Sequence, residues 1–244
     1  MKIAIIGAGA SGLPAIKCCL DEGLQPVCFE RTDDIGGLWN WQENPTDGRS
    51  TVMKSTIINT SKEMSFYSDF QVPAHYPNYM HNKQVISYFR LYADNFDLLK
   101  YIHFRTEIKR VSQVENFKET GRWKLTIKYL ESGLLRTEEF DRVLVCSGHH
   151  AEKKMPRFQG QEGFEGKIVH SHDYTDFRGY EGKRVIVVGI GNSAVDVAVE
   201  LSNISAQVCA TMSSVLPNHS YLRVYYDVME LTWTLEYVKC TINE

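Results

Sequence analysis

The first thirty residues of this chain read strand, glycine turn, helix, strand, and that order leaves few folds open. Lys2 to Ile6 (KIAII) is a short apolar, β-branched run that fits a parallel strand buried on both faces. Gly7-Ala8-Gly9-Ala10-Ser11-Gly12 follows at once and matches G-x-G-x-x-G. Leu13 to Glu22 reads as a helix, with Gly23 placed to end it at C′. Pro26 to Phe29 is a second strand, and Glu30 closes it.

Each residue type in this turn has a physical task. Gly7 permits the sharp exit from the strand, and Gly12 lets helix and strand pack closely. Gly9 leaves room for backbone N–H groups to approach a pyrophosphate, which the positive end of the helix favours. Glu30 can accept hydrogen bonds from an adenosine ribose. A glycine turn alone is weak evidence. The strand before it, the helix after it and the acid at the expected distance together predict a dinucleotide site. An acid here favours a free 2′-hydroxyl, as in FAD or NAD.

A second unit of the same kind starts at Lys183. Lys183 to Val188 is a strand, Gly189-Ile190-Gly191-Asn192-Ser193-Ala194 is the turn, and Val195 to Leu201 is the helix. Ala in the last position is allowed by the G-x-G-x-x-G/A form. The next strand, Gln207 to Ala210, ends without an acid, which permits NADP. Thr211 to Ser214 brings no Arg for a 2′-phosphate. The expected fold is therefore α/β, with two Rossmann-like dinucleotide-binding units.

Composition narrows the function further. The chain has 244 residues and a net charge of −3, which argues against nucleic acid as a partner. Its six cysteines form no C-x-x-C and no zinc spacing, so reduced structural thiols and no metal site are expected. The missing C-x-x-C also counts against a pyridine nucleotide–disulfide reductase, which shares the two-site plan. No run of 18 apolar residues exists to span a membrane. The glycine motif inside the first apolar run argues against a cleaved signal peptide.

Between the two units, residues 40–81 are rich in aromatics and turn formers and read as irregular structure over a site. Asn82 is placed to cap a helix running to about Leu99, with Val85, Phe89, Tyr92 and Phe96 as its core stripe. His75 and His81 read as isolated, surface or hydrogen-bonded residues. Ile102 to Val111, Trp123 to Tyr129 and Leu134 to Phe140 read as strands of a β-meander, with a turn at Lys118 to Gly121. Arg142 to Cys146 is another buried strand, followed by Ser147-Gly148, and Ala151 to Pro156 reads as a linker.

These residues resemble a known family. GAGASGL, CFERTDDIGGLW, INTSKEM and YPNYMHNKQVISYFRLYADNFDLLKYI are similar to segments of the flavin-containing monooxygenases. Phe164, Gly166, His170 and Tyr174 match F-x-G-x-x-x-H-x-x-x-Y, the signature of that family and its Baeyer–Villiger relatives. The details of residues 44–99 look more like the nitrogen- and sulfur-oxygenating branch. The resemblance implies that NADPH reduces FAD, and that the reduced flavin adds O₂ to give a C4a-hydroperoxide that oxygenates amines or sulfides. It implies FAD contacts at Gly7, Ala8, Gly9, Ala10, Ser11, Gly12, Glu30, Leu38 and Trp39. It places Asn59 beside the flavin's reactive edge as a catalytic residue, with Ile58 and Thr60 as cofactor-binding neighbours. An Asn that stabilises a turn is the plain alternative. At the second turn it implies nicotinamide-dinucleotide contacts at Gly189, Gly191, Ser193, Ala194, Val195 and Asp196. The signature is implied to be a hinge, not a proton-transfer site.

The expected organisation is a flavin domain over 1–150, the hinge and opening of the NADP domain over 151–211, and a divergent tail over 212–244. The family pattern stops at about Thr211, and Tyr221 to Val238 reads as aromatic and β-branched with an amphipathic helix. The resemblance implies an endoplasmic reticulum membrane location, or a cytoplasmic one if the lack of the family's C-terminal anchor in this sequence is decisive. Set against the family, the resemblance implies that the second Rossmann-like unit is incomplete, so strands normally covered on both faces should keep apolar surface exposed. A non-catalytic chain that binds FAD, or nothing, and acts as an incomplete or regulatory product is therefore the alternative reading.

Overall fold

The structure, a computed structural model, describes residues 1–45, 48–158, 160–213 and 222–225. The chain divides into two units, Met1–Lys154 and Met155–Glu244.

In the first unit, β1 (Lys2–Ile6) sits inside a parallel sheet with β2 (Gln25–Phe29), β3 (Ile102–His103) and β7 (Arg142–Val145), in the order β3-β2-β1-β7. Neighbours on both sides explain its unbroken apolar sequence. Ile3 and Ile5 share one core with Leu13 and Ile16 of helix α1 (Gly12–Asp21) and with Val85, Tyr88, Phe89 and Tyr92 of helix α3 (Asn82–Asn95). Ala4 joins a second core with Phe29, Leu125, Ile127 and Phe140. The period-2 alternation of the strand thus serves two layers. The second layer is the antiparallel meander β4 (Thr106–Gln113), β5 (Trp123–Tyr129) and β6 (Leu135–Phe140).

Helix α1 ends as its sequence predicts. Gly23 is left-handed at φ +66°, its N–H donates to Leu20 O at 3.0 Å, and Leu24 N–H donates to Cys19 O at 2.8 Å. That is the Schellman pattern, which uses up two of the last free carbonyls.

Helix α3 differs from expectation at both ends. His81, not Asn82, is the N-cap: its Nδ1 accepts from Lys83 N–H at 3.2 Å, and its own N–H donates to Gln84 Oε1 at 3.0 Å. Asn82 is buried inside the first turn and donates to the Met53 and Lys54 carbonyls instead. The helix stops at Asn95 because Asp97 turns left-handed (φ +51°) and Leu98 N–H returns to Ala93 O at 2.9 Å. Aspartate there does what glycine usually does.

The single strand expected over Ile102 to Val111 is two strands in two sheets. Arg105 (φ +50°) turns the chain between them, and Thr106 N–H donates to Glu30 O at 2.9 Å as the chain leaves the parallel sheet. Where a turn was expected near Lys118, residues Phe117–Thr120 form the short helix α4, closed by left-handed Gly121. A further short helix, α2 (Lys62–Ser65), lies in the irregular segment.

In the second unit, β8 (Arg184–Val188) pairs in parallel with β9 (Gln207–Ser213), and helix α5 (Asn192–Ser202) connects them. β9 continues past Ala210 because β10 (Leu222–Tyr225) pairs with it antiparallel, Leu222 opposite Ser213 and Tyr225 opposite Ala210. The start of the aromatic and β-branched segment is thus a strand. Its residues from 226 onward, and most of the expected tail, lie outside the described residues.

Apolar side chains stay exposed on both parallel sheets. Val145 on β7 is 72% exposed and Ile186 on β8 is 60% exposed.

Candidate functional site: two glycine turns

The first turn is built by steric demands that the protein itself imposes. Gly7 has φ +101°, and a Cβ there would lie 2.4 Å from the Cys146 carbonyl oxygen. A Cβ on Gly12 would lie 1.9 Å from the Gly7 carbonyl oxygen. Gly9 is different: a Cβ there would meet Gly37 Cα at 3.6 Å, an ordinary contact. The fold requires glycine at 7 and 12, while nothing among the described residues requires it at 9. The room at Gly9 is room for something else.

Hydrogen bonds decide which amides remain available. Gly7 N–H donates to Phe29 O, Ala8 N–H to Glu30 Oε2 at 2.8 Å, and Gly12 and Leu13 N–H to Gly9 O. Among the described residues, the N–H groups of Gly9, Ala10 and Ser11 have no acceptor. Three successive N–H groups without an acceptor at the start of α1 are donors that an anion could take up at the positive end of a helix.

Glu30 is buried, 6% exposed, and its carboxylate has several partners. Besides Ala8 N–H, it accepts from Thr32 N–H and Thr32 Oγ1, both at 2.8 Å on Oε1. Oε2 keeps acceptor capacity for a ligand hydroxyl. Glu30 therefore braces the turn as well as being the candidate ribose acceptor.

The Gly36-Gly37 pair lies against the turn, with Gly36 N–H donating to Ala8 O at 3.0 Å. Gly36 (φ +99°) passes so close to Ile86 that any side chain would strike it. Leu38 and Trp39 follow in a 3₁₀ turn and are half-buried. Beside them, a pocket of about 220 Å³ is lined by Trp39, Asn40, Trp41, Lys54, Asn82, Lys83, Ile86 and Arg90. It is below the usual size of a pocket for a drug-sized ligand, so the dinucleotide candidate is the open cradle of the turn.

Ile58 is buried, and its N–H donates to Met80 O at 2.9 Å. Asn59 and Thr60 are exposed. Thr60 bonds to Ser65 through their hydroxyls. Among the described residues, neither shares a hydrogen bond with the glycine turn.

Sequence reasoning missed three residues of this site. Thr32 holds Glu30. Cys146 walls the turn at Gly7. Tyr67, far along the chain, donates its hydroxyl to the Ala10 carbonyl at 2.6 Å. Thr32 sits two residues after the acid and was within reach of a local reading. The other two are long-range contacts with no local signal.

The second turn repeats the plan with looser packing. Gly189 has φ +128°, and a Cβ there would stay 3.6 Å from Ala194 Cβ, so alanine is accommodated where the first turn needs Gly12. Among the described residues, a Cβ added to Gly191 would meet nothing within 4 Å. Ala194 and Val195 N–H both donate to Gly191 O, while Asn192 and Ser193 N–H have no acceptor among the described residues. Ser193, Val195 and Asp196 are exposed, and Ala194 is half-exposed. The Asp196 carboxyl is pushed up by desolvation and then by Glu200, one helical turn on.

The signature residues also have local tasks in this unit. The Phe164 ring lies where a Gly166 side chain would project. His170 Nδ1 accepts from His172 N–H at 3.1 Å and caps the 3₁₀ turn Ser171–Asp173. Tyr174 is buried, and its hydroxyl donates to Glu200 Oε2 of α5 at 2.5 Å.

Among the described residues, no group of three His, Cys, Asp or Glu could hold a metal ion. Five cysteines are free thiols, and Cys240 lies outside the described residues.

Comparison with known proteins gives the family. The family described as flavin-binding monooxygenase-like matches residues 1–229. "Flavin-containing monooxygenase 5" of Homo sapiens is 54% identical over 209 residues, which is 85% of this chain and 39% of that protein. The chain thus spans well under half the length of this curated relative. Among solved structures, the S-allyl-L-cysteine S-oxygenase of Allium sativum superposes with a TM-score of 0.80 at 26% identity, covering 93% of this chain and 54% of its own. An oxidized steroid monooxygenase bound to NADP gives a TM-score of 0.61 at 25% identity, covering 86% of this chain and 38% of its own. The chain belongs to the flavin-binding monooxygenase family.

Proposed function

We propose that this chain carries the FAD site and the opening of the NADP site of a monooxygenase that uses NADPH and O₂ to oxygenate soft sulfur or nitrogen nucleophiles. One observation carries the reading. In a chain of this family, the first glycine turn offers three free N–H groups, an open approach at Gly9 and a braced acid at Glu30. Those are the donors an FAD pyrophosphate requires and the acceptor its ribose requires.

The protein's part is to bind, orient and exclude water, while the flavin, when bound, supplies the redox chemistry with O₂. Gly9, Ala10 and Ser11 hold the pyrophosphate through their amides. Glu30 accepts from the ribose. Leu38 and Trp39 line the path toward the flavin ring. Asn59, whose amide is exposed, acts at the ring's reactive edge as a hydrogen-bond donor, with Ile58 and Thr60 beside it. In the second unit, Gly189, Gly191 and Ser193 to Asp196 receive the nicotinamide dinucleotide.

The solved relative bound to NADP supports the choice of nicotinamide cofactor. The relative named as an S-oxygenase supports sulfur, and the sequence resemblance to the nitrogen- and sulfur-oxygenating branch supports nitrogen. The resemblance also supports an endoplasmic reticulum location. Among the described residues, no helix is long and apolar enough to cross a membrane.

A second reading is a chain that holds FAD without turnover. The exposed apolar residues of β7 and β8 favour it, because parallel strands are normally covered on both faces.

Absorbance decides between them. Purified chain should show a flavin band that NADPH bleaches without air, and then oxygenate a sulfide when O₂ is admitted. Flavin that NADPH cannot reduce would establish the second reading. Colourless protein that takes up no added FAD would remove both.

A further inference from the structure

The glycine turn is held from behind by a residue that no motif contains. Tyr67 lies 57 positions from Ala10 in sequence, yet its hydroxyl donates to the Ala10 carbonyl at 2.6 Å. The ring cannot easily leave. It contacts Tyr92, Tyr88 and Phe89 of α3 with centroids 4.5, 5.8 and 6.0 Å away. Its backbone is tied as well: Tyr67 N–H donates to the Tyr88 hydroxyl at 3.2 Å, which donates to Phe70 O at 2.6 Å. The aromatic stripe of α3, read from sequence as plain core, is thus the footing of a bond to the turn.

The geometry of one peptide plane turns that bond into a ligand argument. In a trans peptide, the carbonyl of one residue and the N–H of the next point in opposite directions. The Ala10 carbonyl and the Ser11 N–H share such a plane. Holding the carbonyl toward Tyr67 aims the Ser11 N–H the opposite way, and that N–H is one of the three without an acceptor. The bond also keeps a partial negative charge from facing an anion, and it polarises the peptide so that its N–H donates more strongly.

We propose that Tyr67 is a positioning residue for the pyrophosphate of FAD, acting through the Ala10–Ser11 peptide. This rests on the flavin site proposed above. Tyr67 touches no reacting atom, so its effect is on dinucleotide affinity and not on the chemistry.

The test is a pair of dissociation constants on the full chain, for FAD and for ADP. ADP carries the pyrophosphate and ribose without the flavin ring. Tyr67→Phe keeps the ring cluster and removes only the hydroxyl. It should weaken FAD and ADP by the same factor, about three- to tenfold, the worth of one neutral hydrogen bond. Placing 3,5-difluorotyrosine at 67 makes the hydroxyl a stronger donor and, in a buffer acidic enough to keep this more acidic phenol protonated, should tighten both ligands. Equal affinities in wild type and Tyr67→Phe, within twofold for both ligands, would overturn the proposal. So would a loss confined to FAD, which would place the effect on the flavin ring. Should Tyr67→Phe not fold, the fluorinated chain decides alone, and unchanged affinity there counts against the proposal. A wild-type chain that binds neither ligand fails differently, because it removes the flavin-site reading itself.

Discussion

A methyl group on Gly12 would lie 1.9 Å from the Gly7 carbonyl oxygen, inside any tolerable contact. The obstacle is backbone, so no side-chain rotation relieves it. Gly12→Ala should destabilise the first unit by at least the ~1–3 kcal/mol typical of overpacking. Its denaturant midpoint should fall clearly below wild type. The equivalent position of the second turn already holds Ala194, and Ala194→Gly there should cost about 1 kcal/mol or less, the helix-propensity difference.

Gly9→Ala separates folding from binding. Its Cβ would sit at ordinary contact distance from Gly37, so the unfolding midpoint should stay close to wild type. The same methyl group enters the space proposed for the pyrophosphate, so FAD should be lost. Stoichiometric FAD in a purified Gly9→Ala chain would refute the assignment of this turn.

The cap of α3 makes stability pH-dependent. His81 Nδ1 must be unprotonated to accept from Lys83 N–H. Desolvation first, and then the Lys83 charge, hold its pKa below the ordinary 6.5. The folded state therefore prefers the neutral ring. The cap's contribution is complete above pH 6.5 and is lost as the pH falls through the depressed folded value. His81→Ala should cost about 0.5–2 kcal/mol near neutral pH. The difference between wild type and variant should shrink on acidification, which thermal melts across that range would show.

In the second unit, Tyr174 and Glu200 should behave as one interaction. Their hydrogen bond joins the signature segment to α5 at 2.5 Å. Hydrogen bonds to charged groups are worth about 1.5–3 kcal/mol. A double-mutant cycle with Tyr174→Phe and Glu200→Gln should return a coupling energy of about that size. Additive losses would show that the bond contributes nothing of its own.

Local order was legible in the residues because local rules wrote it. The β1 run, the G-x-G-x-x-G spacing and Gly23 are each readable within a few neighbours, and so was the second turn with its alanine. The residues whose backbone must be glycine, Gly7 and Gly12, stood out for the same reason. The helix cap was misread by one position because His81 does with a ring nitrogen what asparagine usually does with a side-chain oxygen. The run from Ile102 to Val111 looked continuous because Arg105, a residue with no turn signature, takes the left-handed conformation that splits it.

The two βαβ openings, the family resemblance and the glycines the turns cannot replace could all be read from the residues, since backbone conformation and periodicity are short-range properties. Which amides of the first turn stay free, how Glu30 is shared among Ala8, Thr32 and its open acceptor site, and that Tyr67 stands behind Ala10 emerged from long-range packing. Hydrogen bonds between residues far apart in the chain form only when packing brings them together, and no local pattern records which partner a given N–H will find.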